Sequence, residues 1–220
     1  MKIVLAIEGM DGAGKSSLAR FVQRLCADHG RRCSRIGRRT GYVSPSIAKL
    51  THLLGEENGN LIPHAELYAR MARECQRAHL AATAPPGIIV LDRFVLTILA
   101  LARVYGMDID LLLPLLRDMV SRADLHATIF VTCPFALGWH RVEQRNKGLS
   151  SVLRRGEHFF RRVAEFLDED FRFGLLTGKQ WLVDNSRTLP EAEEQLAGYL
   201  LPYLQQVPLA AAPLTLSPAS

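Results

Sequence analysis

Cysteine is scarce here. Cys26, Cys33, Cys75 and Cys133 are spread along 220 residues with no C-x-x-C pair. That spacing builds neither a thiolate metal site nor a disulfide framework, so buried free thiols and a cytoplasmic location are expected. Long apolar runs are missing too: none approaches the roughly 18 residues that a membrane span requires. The N-terminal run Lys2–Ile7 is also too short for a signal peptide. Neither a membrane nor a secretory route is therefore expected. No internal repeat is visible, and there is no continuous basic tract. The formal charge is +5, yet the arginines gather in short groups at Arg31-Arg32 with Arg35, at Arg38-Arg39, from Arg141 to Arg155, and at Arg161-Arg162. Short groups separated by apolar and acidic residues suit a small polyphosphate pocket better than a duplex footprint, so nucleic acid is not an expected partner.

What is present is a glycine loop. Gly9-Met10-Asp11-Gly12-Ala13-Gly14-Lys15-Ser16, followed by Ser17, fits the Walker A pattern G-x-x-x-x-G-K-[ST]. Its glycines let backbone N–H groups turn toward anionic phosphates. The β-prone run Lys2–Ile7 precedes it, and Lys15 to His29 follows with Leu18, Phe21, Val22 and Leu25 at helical spacing and Gly30 as a stop. Strand, loop and helix thus come in the order a phosphate loop needs.

The rest of the chain alternates in the same way. Strands are expected at Cys33 to Arg39, Gly87 to Leu91, Ala127 to Thr132 and Gln180 to Val183. Helices are expected at Ser46 to Leu54, His64 to Ala84, Leu96 to Val104, Ile109 to Arg122, Phe135 to Arg145 and Glu157 to Phe173. Thr188-x-x-Glu191 is a capping-box signal for a last helix reaching about Leu204. Such βα alternation predicts an α/β fold, a mainly parallel sheet with helices on both faces and ligands at the carboxyl ends of the strands. The expected organisation is one domain over 1–205, a small lid near 146–156, and a tail over 206–220 without fixed structure, prolines at 208, 213 and 218 among Ala, Leu and Ser.

Two strand ends carry chemistry. Ile88-Ile89-Val90-Leu91-Asp92 ends an apolar run in a carboxylate, the arrangement that holds Mg²⁺ or its water beside a phosphate loop; a surface Asp-Arg pair is the plain alternative. Arg93 beside it can neutralise a transferring or accepting phosphate. Glu8 supports metal water or serves as a structural hydrogen-bond acceptor. At the end of the second strand, Gly37-Arg38-Arg39-Thr40-Gly41 places two arginines where a hydroxyl kinase would need a base, which favours an anionic acceptor unless these are solvated surface cations. The lid segment has Arg145, Lys147, Arg154 and Arg155 around Gly148 and Gly156. Since the phosphate loop contains no arginine, Arg154 and Arg155 are candidates for transition-state charge, the alternative being a solvated basic helix face.

Glu8 to Ser17 together with Leu91-Asp92-Arg93-Phe94 resembles the thymidylate kinase family of P-loop nucleoside monophosphate kinases, with likeness running from Lys2 to about Leu201. That resemblance implies a P-loop NTPase fold with a five-stranded parallel sheet, ATP and Mg²⁺ as donor, a nucleotide monophosphate as acceptor, and commonly a homodimer. It further implies that Lys15 holds the β- and γ-phosphates, Ser16 the Mg²⁺ and Ser17 the α-phosphate, while Asp11 faces the acceptor sugar and Arg93 the acceptor phosphate. Thr97 and Ala100 fit its pattern, which implies Thr97 at the acceptor. Tyr68 stands where the family stacks a Phe on the base, although its spacing with Leu67 and Met71 also fits core packing. Ala72 replaces a base-reading Arg, and Leu101 and Ala102 replace a Tyr and a Gln. Removing hydrogen-bonding groups from a polar pocket discriminates strongly between substrates, so thymidylate is a disfavoured acceptor. Kinases of a nucleoside or metabolite hydroxyl, and nucleotide-dependent switches, remain open on the residues alone.

Overall fold

The computed structural model describes residues 1–37, 63–145, 155–174, 179–207 and 209, and side chains within them except at 63–65. Arg38, Arg39, Arg154, the helix expected from Ser46, most of the expected lid and the tail beyond 209 lie outside the described residues.

Five strands form one parallel sheet: β1 (Lys2–Glu8), β2 (Cys33–Ile36), β3 (Gly87–Asp92), β4 (Leu125–Thr132) and β5 (Lys179–Asp184), in the order β2-β3-β1-β4-β5. This is the five-stranded α/β architecture expected. The central strands β1 and β3 are buried almost end to end, whereas edge strand β5 alternates buried and exposed positions. The difference follows from cover: helices on both faces demand continuous apolar runs, and an edge with one covered face does not. Seven helices are described: α1 (Lys15–Asp28), α2 (Pro63–Thr83), α3 (Val95–Val104), α4 (Leu113–Ala123), α5 (Phe135–Arg145), α6 (Gly156–Arg172) and α7 (Leu189–Leu204).

The two faces of the sheet carry separate cores. Val4, Ala6, Ile89, Leu91 and Phe130 pack against apolar residues of α2, α3, α4 and α6. Ile3, Leu5, Ile7, Ile88, Val90, Ile129 and Val131 pack against α1 and α7. At about 25 cal/mol per Å² of buried apolar surface, these two layers are the main source of stability.

The largest departures from the sequence reading lie at three places. Strand β2 stops at Ile36. Helix α4 begins at Leu113 instead of Ile109, because Pro114 occupies an N-terminal helical position and the chain before it closes a turn, with Leu112 and Leu113 N–H both donating to Ile109 O at 2.9 Å. The tail is ordered at its start: Val207 is buried, its carbonyl accepts from Arg31 Nη1 at 2.7 Å, and Leu209 bridges Arg31. The cap signal at Thr188 is present, its hydroxyl oxygen accepting from Glu191 N–H at 3.4 Å.

One buried carboxylate ties the layers together. Glu8, at the end of β1, is 1% exposed and accepts from the N–H groups of Phe94 (2.7 Å), Leu96 (3.1 Å) and Thr97 (3.4 Å), and from the Thr97 hydroxyl (2.7 Å). Helix α3 has no acid in its first turn and no side-chain cap at Phe94. Its orphan donors are satisfied from another strand. Of the two readings of Glu8, the structure supports the structural acceptor. Glu8→Ala should therefore destabilise the protein by roughly 3 kcal/mol or more, since four buried donors lose their acceptor; urea unfolding reads this, and a loss below about 1 kcal/mol would contradict the account.

Candidate active site

The phosphate loop leaves β1 through Gly9 (φ 135°), Gly12 (φ 82°) and Gly14 (φ 100°). A Cβ on Gly12 would lie 2.0 Å from Gly138 O, so this left-handed turn also needs the absence of a side chain where α5 approaches. Asn185, just beyond β5, donates through Nδ2 to Ala13 O at 2.7 Å. Arg141 of α5 reaches Gly12 O at 3.4 Å and Asn185 O at 3.3 Å. The back of the loop is thereby braced from two elements. Its front opens on α1, where Gly14 caps without a side chain and no acid occupies the first turn. The first N–H groups of a helix have no intrahelical acceptor, and such an end takes anions.

Lys15 lies inside this cradle, buried, its ammonium donating to Met10 O. Burial, and then the Arg93 charge, pull its pKa down to about 7, against the opposing pull of Asp11, Asp92 and Glu8. Ser16 is exposed at the helix start, with its hydroxyl 3.4 Å from Asp92 Oδ2. Asp92 also ion-pairs through that oxygen with Arg35 Nη2. Burial alone would raise the Asp92 carboxyl, but Arg35, then Arg93 and Lys15, outweigh it and hold it below its usual value. Arg93, a non-glycine residue at φ 63°, ion-pairs with Asp11 Oδ1 and reaches Gly9 O at 3.4 Å.

The structure thus brings together Asp11, Lys15, Ser16, Asp92 and Arg93. Two further expectations are corrected. Thr97, expected at the acceptor, is buried and gives its hydroxyl to Glu8, because a buried carboxylate requires donors. Arg155, expected to supply transition-state charge or else to lie on a solvated face, is engaged elsewhere: it donates to Glu66 Oε2 at 2.8 Å and to the Tyr105 hydroxyl at 3.0 Å, and lies over the Phe159 ring at 5.0 Å. Tyr68 is 59% exposed, which excludes core packing for it.

Sequence reasoning missed several supports. Arg77, 1% exposed, pairs with Glu74 at 2.5 Å and donates to Ile36 O at 2.6 Å and Asp92 O at 3.1 Å, locking the ends of β2 and β3. Its place in the helix beside the buried positions Ala78 and Ala81 was the available signal. Arg35, Arg141 and Asn185 act through contacts distant in sequence, and Glu66, besides its i,i+4 pair with Arg70, through Tyr105 and Arg155.

For a metal, Ser16 and Asp92 offer converging oxygens. Among the described residues no group of three or more His, Cys, Asp or Glu could hold an ion unaided. This donor set fits Mg²⁺, which binds through one or two protein oxygens plus substrate phosphates. A cavity of about 590 Å³ lies nearby, lined by Met10, Thr132, Phe135, Arg161, Asp168 and Asp184 among others. It touches the phosphate loop only at Met10, and the reacting groups above do not line it.

Comparison with known families gives a match to the family described as Thymidylate kinase over residues 7–187. No curated protein matches the chain significantly. No described helix is long and apolar enough to cross a membrane.

A proton prediction follows from Lys15. Its folded pKa near 7 lies below its ordinary value of 10.5, so the unfolded chain holds the extra proton between those values and this group's contribution to stability rises with pH through that window. Bound phosphates favour the ammonium form. At pH 8 nucleotide binding should take up a substantial fraction of a proton, read by calorimetry in buffers of different ionisation enthalpy, and Lys15→Ala should abolish the uptake. Equal uptake in the variant would assign the proton elsewhere.

Proposed function

The chain belongs to the thymidylate kinase family, and on that premise we propose that it is an ATP- and Mg²⁺-dependent phosphotransferase whose acceptor is a nucleoside monophosphate other than thymidylate. One observation carries the choice of acceptor. Of the three carboxylates beside the phosphate loop, Asp11 is paired with Arg93, Asp92 is paired with Arg35 in the ligand-free protein and claimed by the metal in the loaded one, and Glu8 is buried under four donors. A hydroxyl acceptor needs a general base, while a phosphate oxygen is already ionised at neutral pH.

In this reading Gly9, Gly12, Ala13 and Gly14 with Lys15, Ser16 and Ser17 hold the donor phosphates. Mg²⁺ held by Ser16 and Asp92 with phosphate oxygens would neutralise charge on the transferring group. Arg93, with Arg38 and Arg39, binds the acceptor phosphate, and Tyr68 offers a ring to its base. Asp11 orients Arg93 and faces the sugar. An acceptor phosphate oxygen attacks the γ-phosphorus as the bond to the β,γ-bridging oxygen breaks; the leaving diphosphate takes the electron pair, and no proton leaves the acceptor. Lys15, with Arg154, meets the charge of that transition state. Leu101 and Ala102 are buried in the apolar core, which supports a pocket without the polar readers of thymine.

The test is an assay with ATP and Mg²⁺ against paired nucleosides and monophosphates, read by product mass. At least one monophosphate should exceed its parent nucleoside by about 100-fold in kcat/KM, with thymidylate a poor substrate. Arg93→Ala should erase that preference by removing a charge-assisted contact, and Lys15→Ala should lower transfer by at least about 100-fold. Better turnover of the unphosphorylated compounds would replace this reading with a hydroxyl kinase.

A further inference from the structure

Arg35 belongs to no part of the phosphate-loop motif, yet it stands at the reacting edge. It is a β2 residue in register with Val90 of β3, and its guanidinium pairs with Asp92 Oδ2, the same oxygen that faces the Ser16 hydroxyl at 3.4 Å. Its side chain is 26% exposed, and its Nε is buried without a hydrogen-bond partner. The group is therefore held mainly through one contact, on a carboxylate suited to a divalent cation. The backbone beneath does not depend on that contact, because Arg77 fixes Ile36 O and Asp92 O separately. Arg93 is engaged with Asp11 and Lys15 with Met10 O, so Arg35 alone of the described cations here is seated on the candidate metal carboxylate.

We propose that Arg35 is an exchangeable counter-cation of the transfer site: it occupies Asp92 in the ligand-free protein, yields that carboxylate to the nucleotide-borne divalent cation, and then binds phosphate beside Arg93. A guanidinium and a divalent cation repel one another on one carboxylate oxygen, so occupancy by one weakens the other. Once displaced, Arg35 presents its planar donors among the negative oxygens of donor and acceptor, where two-pronged contact is favourable. Arg35 thus couples metal loading to recognition of a phosphorylated acceptor. The inference rests on the phosphotransferase reading for its second half and on the observed ion pair for its first.

The first measurement is a Mn²⁺ titration of the full-length protein without nucleotide, read by electron paramagnetic resonance, comparing wild type with Arg35→Met. Loss of the competing cation should tighten Mn²⁺ binding by at least about 5-fold, with Arg35→Lys in between. The second is steady-state kinetics with the best monophosphate, where Arg35→Met should raise the acceptor KM at least about 10-fold and leave the KM of ATP nearly unchanged. Mn²⁺ affinity that is unchanged or weaker overturns the exchange, and an unchanged acceptor KM overturns the phosphate-binding role. Should Arg35→Met fail to fold by thermal unfolding, Arg35→Gln takes its place in both measurements. If wild type turns over no monophosphate at all, the proposed function fails and so does the phosphate-binding role, while the Mn²⁺ titration still decides the exchange.

Discussion

Glu8, Asp11 and Asp92 stand at the carboxyl edge of a parallel sheet, and each is matched by donors from another part of the chain. Glu8 holds the start of α3, Asp11 holds Arg93, and Asp92 holds Arg35. This matching of charge is the constraint that the rest of the site obeys. Buried or half-buried carboxylates without partners would be costly, and with partners they become fixed points. Arg93 can keep a left-handed backbone because its N–H donates to Ile7 O at 2.9 Å and its side chain is seated on the loop. Lys15 can stay buried because its ammonium has an acceptor in Met10 O and can give up its proton near neutral pH.

The same matching shapes the chemistry. A site whose acids are all engaged has no base to spare. In the proposed function, donor recognition rests on backbone geometry: glycines admit α5 and Asn185 behind the loop, and the uncapped end of α1 opens in front. In the same proposed function, acceptor recognition falls to strand ends and to α2, through Arg93, Arg35 and the exposed ring of Tyr68. Glu66, Arg70, Tyr105 and Arg155 form a second polar group, with Arg70 on Glu66 at 2.7 Å and the Tyr105 hydroxyl on it at 2.5 Å. That group joins α2 to the loop after α3 and to the start of α6.

Much of this was legible in the chain because it is local. The strand, glycine loop and helix follow one another directly, the strand-end Asp92-Arg93 pair marks itself by abrupt polarity after an apolar run, and Thr188 announces α7 three residues ahead of Glu191. Element boundaries were legible where a breaker stands at the end, as at Gly87, and less so before Pro114. What stayed hidden depends on partners far apart in sequence. Thr97 reads as a polar group available to a ligand until Glu8 is found beneath it. Arg155 reads as a mobile cation until Glu66 and Tyr105 are found beside it. Arg35 is one arginine in a basic cluster until β2 aligns with β3 and sets it on Asp92.

The central claim is that the phosphoryl group lands on a phosphate. Phosphorus NMR of the products tests this most directly, with a nucleoside and its monophosphate supplied together in equal amounts with ATP and Mg²⁺. The account predicts two new pairs of coupled P–O–P resonances, one from ADP and one from the acceptor diphosphate, with the monophosphate signal falling and the nucleoside unconsumed. A single new coupled pair, from ADP, with the phosphomonoester signal growing at the expense of the nucleoside, would contradict it.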